Sequence, residues 1–174
     1  APFTKALESL ALTGGIVFVP PGRYVFEGNL TIPSAVSLKG SFEFVPSHKD
    51  GKGESLGSWL LPKGGRNAPN SFPFLSVLSD ASVEGFTIFY PEVNSSSAPV
   101  PYPWTIELSG NNCAVADVEL LNSWNGISAV GSARHYIARV QGQPTNLGIF
   151  VDQTYDIGRI EDVHFNPWFN DGPP

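Results

Sequence analysis

Val83-Glu-Gly-Phe86-Thr-Ile88, Val115-Ala-Asp-Val118-Glu-Leu120, Ile137-Ala-Arg-Val140-Gln-Gly142 and Ile160-Glu-Asp-Val163-His-Phe165 are four versions of one pattern, apolar-x-x-apolar-x-apolar. Their first residues stand at 83, 115, 137 and 160, at intervals of 32, 22 and 23 residues. A second series, Leu75-Ser-Val77, Ile106-Glu-Leu108, Ile127-Ser-Ala129 and Ile149-Phe-Val151, keeps step with the first at 31, 21 and 22 residues. Two short strands that return together mark stacked units, none of which can bury a face alone. The expected fold is all-β: a single-stranded parallel β-helix, a solenoid of about 22 residues per rung.

Working outward from these blocks, the interval of 32 exceeds one rung by roughly ten residues. The excess maps to an irregular stretch at 91–103 (PEVNSSSAPVPYP). A second irregular stretch, about 45–72, is rich in Gly, Ser and Lys and contains a SWLL piece that reads as a further rung strand. Insertions between solenoid strands project on one side, where ligands commonly bind. Nearer the start, Ile16/Phe18, Tyr24/Phe26, Leu30/Ile32 and Val36/Leu38 alternate with period two, punctuated by Pro20-Pro21-Gly22, Glu27-Gly28 and Pro33-Ser34. Phe3–Leu12 has helical spacing and stops at Gly14-Gly15. That helix would cap the open end of the coil, where exposed strand edges invite aggregation.

The 174 residues fit one domain, 1–174. With 18 Gly, 16 Pro and only 15% charged residues, the composition suits short strands and turns. The net charge of −6 and pI near 4.9 argue against a nucleic-acid partner, which clustered Lys and Arg would hold. No run of 18 apolar residues is present, so no membrane partner is expected. The single Cys113 excludes an internal disulfide and a thiol metal cluster. His48 and His135 have no carboxylate at ligand spacing, so neither a metal nor another cofactor is expected. Without Met and beginning at Ala1-Pro2, the sequence reads as a processed chain or a fragment, lacking C-terminal rungs and a cap. Sequons at Asn29-Leu-Thr31 and Asn94-Ser-Ser96 make Asn29 and Asn94 candidate glycosylation sites if the source is a secreting eukaryote.

Gly14-Gly-Ile-Val-Phe-Val-Pro-Pro-Gly-Arg-Tyr24, followed by Leu30-Thr-Ile-Pro and Val36-Ser-Leu-Lys-Gly40, resembles the N-terminal signature of the pectate-lyase superfamily. The match is specific over residues 1–40, and the later rungs are compatible with it to about residue 166. The resemblance implies a right-handed β-helix that acts on extracellular polysaccharide, hence a secreted or cell-surface location. It implies no single reaction: hydrolases, lyases, epimerases and phage tailspikes share the signature.

In register, equivalent residues of successive rungs lie about 4.8 Å apart. Alternation then turns Thr87, Glu119, Gln141 and His164 outward in one column, with Gly85, Asp117, Arg139 and Asp162 in the next. As structure, the second column is a charge-matched stack in which two carboxylates share Arg139. As chemistry, it sets Asp117 and Asp162 roughly 9–10 Å apart, near the upper separation for an inverting glycosidase. Glu119 and His164 stand beside them as proton-handling groups. Asp117, Glu119, Arg139, Asp162 and His164 are therefore the catalytic candidates, and the charge-stack reading stands against them.

Aromatic faces stack on sugar rings, whose axial C–H bonds form an apolar patch, and they also cover solenoid corners. Trp104, Trp124 and Tyr102 are the substrate-binding candidates of this kind, with Tyr90 and Trp168 weaker ones. Lys49, Lys52, Lys63 and Arg66 place four of the ten basic residues within 18 positions, and of these Lys63 and Arg66 are candidates for holding uronate carboxylates. Asp80 and Asp152 read as turn caps. The functional expectation is a glycoside hydrolase or polysaccharide lyase. Its rivals are a structural or adhesive β-helix that self-associates along the solenoid axis, and a carbohydrate-binding module.

Overall fold

A computed structural model describes residues 2–42, 56–93 and 98–166. Helix α1 (Pro2–Ser9) precedes β1 (Gly15–Phe18), β2 (Gly22–Phe26), β3 (Leu30–Ile32), β4 (Val36–Lys39), β5 (Ser58–Pro62) and β6 (Leu75–Val77). There follow β7 (Ser82–Phe89), β8 (Trp104–Leu108), β9 (Ala114–Leu121), β10 (Asn125–Val130), β11 (Tyr136–Gly142), β12 (Leu147–Asp152) and β13 (Arg159–Phe165). The protein is mostly β, with one short helix among the described residues. That helix is not long and apolar enough to cross a membrane.

All strand pairing is parallel and falls into two sheets. Sheet A runs β1-β4-β7-β9-β11-β13, with β5 joining β2 to β7, and sheet B runs β12-β10-β8-β6-β3. From β6 onward the chain visits the two sheets alternately, so each sequence repeat gives one strand to each. The register is the one the repeat predicts: Val83↔Val115, Val115↔Ile137 and Ile137↔Ile160 are partners, as are Phe86↔Val118, Val118↔Val140 and Val140↔Val163. In sheet B, Leu75↔Ile106, Ile106↔Ile127 and Ile127↔Ile149 stack likewise. Through β11 these inward columns form the main core, with Ile149 and Val163 partly buried against it and Ile160 exposed. The SWLL strand within the irregular stretch at about 45–72 exists as β5, buried along its length.

The start of the chain departs from expectation in two ways. Helix α1 ends at Ser9, three residues before the expected Leu12. In β1 the apolar pair Ile16 and Phe18 faces outward and is largely exposed, while Val17, the partner of Leu38, packs on the core. The strand is where the alternation places it, but its inner face is reversed. Helix α1 docks through Leu7 and through Phe3, whose ring lies edge-on to Tyr24 at 5.3 Å and to Phe26 at 4.9 Å.

The irregular stretch at 91–103 contributes one core ring, Tyr102, and Tyr90 immediately before it contributes another. Tyr90 and Tyr102 lie edge-on at 4.7 Å, and the Tyr90 hydroxyl shares a 3.0 Å hydrogen bond with Thr105 Oγ1. Thr105 in turn donates to the Asn125 carbonyl at 2.8 Å. Burial pushes both tyrosine hydroxyls above the ordinary value of 10.0. A raised pKa means that the folded state holds the proton more tightly than the unfolded chain. Its stabilising contribution is complete below the ordinary value and fades as pH rises above it. Stability to urea should therefore decline as pH rises beyond that value, and the decline should be shallower in Tyr90→Phe. An equally steep decline in Tyr90→Phe would contradict this assignment.

Candidate functional site

Gly85, Asp117, Arg139 and Asp162 share one backbone peculiarity: φ is +78°, +54°, +51° and +53°. A left-handed residue breaks strand alternation, and it costs little only for Gly, with Asp tolerated through local hydrogen bonding. All four strands take this kink at the same height, so pairing resumes in register on either side. The kink aims Asp117 and Arg139 at one another. Arg139 donates from Nε to Asp117 Oδ1 and from Nη2 to Oδ2, both at 2.7 Å, a two-bond fork.

The Asp117 side chain is 8% exposed and that of Arg139 39%. The bond to Asp117, then that charge, push the guanidinium further above its ordinary range. The expected sharing of Arg139 between two carboxylates is not realised: among the described residues its one ion pair is with Asp117. The nearby Tyr136 hydroxyl, a lesser cause of the guanidinium's upward shift, donates to Glu161 Oε1 at 2.6 Å. Asp162 is exposed and stands apart from the ion pair.

The neighbouring column is in register as expected, Thr87↔Glu119↔Gln141↔His164. It is not uniformly exposed. Glu119 is 3% accessible and accepts a 3.0 Å bond from Thr87 Oγ1, while His164 is exposed. The reason lies on the same outer face, where Trp59, Leu61, Phe89 and Leu121 form a second apolar cluster beside the first two strands of the column. The carboxylates nominated for catalysis are thus one locked in a fork, one buried under a hydroxyl, and one exposed with no ion pair among the described residues.

Sheet B presents a different surface. Phe150 on β12 is 41% exposed, and its ring lies near-parallel to that of Trp104 on β8, with centroids 6.3 Å apart at 22°. They reach across β10, where the small, buried Ser128 sits between Glu107 and Phe150 in register. Glu107 accepts from Ser109 Oγ at 3.1 Å and shares this outer face. Phe150 and Glu107 were not singled out from sequence. The signal was available: each is the middle residue of a three-residue apolar block, and therefore points outward.

The remaining candidates scatter. Tyr102 is fully buried, so its ring has no face open to a sugar. Its hydroxyl donates to Glu92 Oε2 at 3.3 Å, and Arg66 holds the same carboxylate oxygen at 3.3 Å. Arg66 is thereby engaged within the chain. Trp124 is half-buried against the core, and Lys63 is half-buried after β5. Asn29 is exposed just before β3, whereas Asn94, Lys49, Lys52, His48 and Trp168 lie outside the described residues. Asp80 occupies a left-handed turn and accepts from Asn112 Nδ2 at 2.7 Å, and Asp152 accepts from the Gln153 amide at 2.8 Å.

Comparison with protein-family models, with curated proteins and with solved structures finds no match.

Two substitutions separate strain from charge in the kinked column. Arg139→Ala leaves a nearly buried carboxylate without its fork and should cost about 1–2 kcal/mol, the lower part of the range because Arg139 is partly exposed. Asp162→Gly relieves a left-handed residue with no ion pair and should be neutral or stabilising by up to about 1 kcal/mol. Chemical denaturation of both variants checks this. An Asp162→Gly loss as large as that of Arg139→Ala would show that Asp162 does more than occupy the kink.

Proposed function

We propose that the chain is a right-handed parallel β-helix protein of the cell exterior that binds a polysaccharide along the outer face of sheet B. The alternation between two parallel sheets supports the coil, since parallel neighbours need a crossover that in the same sheet is almost always right-handed. The observation that carries the binding role is the Trp104–Phe150 pair: two near-parallel aromatic rings on an outer strand face, one of them 41% exposed. Such rings offer flat apolar area at little entropic cost, the surface that a pyranose C–H face fits. Their placement on strands of a packed sheet holds them rigid.

Cleavage of the bound chain is the second reading, favoured by Glu107, a carboxylate on the same outer face two strands from Phe150. In that reading Glu107 in its protonated form gives a proton to the glycosidic oxygen as the C–O bond breaks, and water adds at the anomeric carbon. Asp117 and Arg139 are then fold-supporting, Glu119 is a buried hydrogen-bond acceptor, and Asp162 and His164 lie on the other sheet. A structural or adhesive coil without ligand is the remaining rival.

Affinity electrophoresis through gels containing neutral and uronic polysaccharides, with reducing-end release followed in parallel, tests both readings. Retardation by at least one polymer is expected. Trp104→Ala and Phe150→Ala should each weaken it about tenfold, equivalent to roughly 1.4 kcal/mol. Release that disappears in Glu107→Gln with retardation intact would establish cleavage. Mobility unaffected by any polymer would leave the structural coil.

A further inference from the structure

A cleft lies along the leading edge of sheet B, where the chain enters β3, β6 and β8. Its lining includes Glu27, Gly28, Asn29, Ser71, Phe72 and Pro103, and Pro103 immediately precedes Trp104. Three features make it a built hollow. A Cβ on Gly64 would fall 2.2 Å from the Glu27 carbonyl oxygen, so glycine there lets two turns close into the back wall. A Cβ on Gly28 would meet nothing within 4 Å, so the space beside it is open. Phe72 is 81% exposed, an uncovered aromatic ring beside that space.

The polar rim decides what fits. Glu27, Asn29 and Ser71 supply a carboxylate, an amide and a hydroxyl, and among the described residues no cation lines the cleft. These groups bond sugar hydroxyls, while the Glu27 carboxylate would repel a uronate. The net charge of −6 opposes a polyanion over the whole surface. Arg66, the described arginine of the basic segment, is already held by Glu92.

We infer that this cleft is a saccharide subsite for one ring of a neutral polysaccharide, continuous through Pro103 with the Trp104–Phe150 face. The inference rests on the binding role proposed for sheet B. It adds the direction of the bound chain, across the strands from β3 towards β12, and its lack of charge.

The test is isothermal titration of the full chain with linear neutral oligosaccharides of graded length, and with oligogalacturonates. Gly28→Trp puts a large side chain into the open space, at a position where a Cβ would meet nothing within 4 Å. Phe72→Ala removes the exposed ring, and circular dichroism checks that both fold. The expected result is tighter binding of neutral than of uronic oligomers. Gly28→Trp and Phe72→Ala should then weaken long neutral oligomers about tenfold while leaving the shortest unchanged, and Trp104→Ala should weaken both. Wild-type affinity of both cleft variants at every length would overturn the subsite and leave the sheet B reading standing. Preference for oligogalacturonates would overturn the neutral assignment, and no wild-type binding to any oligomer would remove both proposals together.

Discussion

The structure depends on one constraint: β7, β9, β11 and β13 of sheet A must each place a left-handed residue at the same height as their neighbours. Parallel strands draw their hydrogen bonds from the strands on either side, and a one-residue slip would turn each inward side chain outward. The kink at Gly85, Asp117, Arg139 and Asp162 locks that register, because pairing is regular on both sides of it and interrupted at it. Only Gly85 meets the backbone demand without strain. The three polar residues that follow are held by position as much as by preference, and Asp117 and Arg139 offset the strain with a two-bond fork.

A second column repeats the device at the turns from sheet B into sheet A. Ala35, Asp80, Asn112 and Arg134 are all left-handed, with φ between +54° and +61°. From Asp80 onward their side chains form a chain of bonds: Asn112 donates to Asp80, and Arg134 donates to Asn112 at 2.6 Å and to Asp156 at 2.6 Å. The Asp156 carboxyl is held below its ordinary range, first by the Ile157 amide and then by Arg134. Asp80, Arg134, Asp156, Asp117 and Arg139 are thus committed to stacking one repeat on the next. The outer face of sheet B carries less of this traffic, and there the aromatic rings remain available.

The repeat made the strands and their register legible, because inward positions must be apolar in every copy. It also fixed which residues share a column. It did not reveal what covers the outer face of sheet A, so Glu119 read as exposed when Trp59, Phe89 and Leu121 make its surroundings apolar. The charge stack was legible as a column but not as a pairing, since the kink, invisible in composition, decides that Arg139 turns to Asp117. Tyr102 read as a sugar contact because it borders an irregular stretch, and it is instead a core ring with its hydroxyl on Glu92. Phe150 was concealed by its own hydrophobicity: in Ile149-Phe150-Val151 all three residues look like core, and only strand alternation singles out the middle one.

The most direct measurement is a crystal structure of the chain with a linear neutral oligosaccharide. The account predicts sugar rings against Trp104 and Phe150, with the chain running across the strands towards Phe72 and Gly28. An oligosaccharide seated over Asp117, Arg139 and Asp162 on sheet A, with sheet B bare, would contradict it.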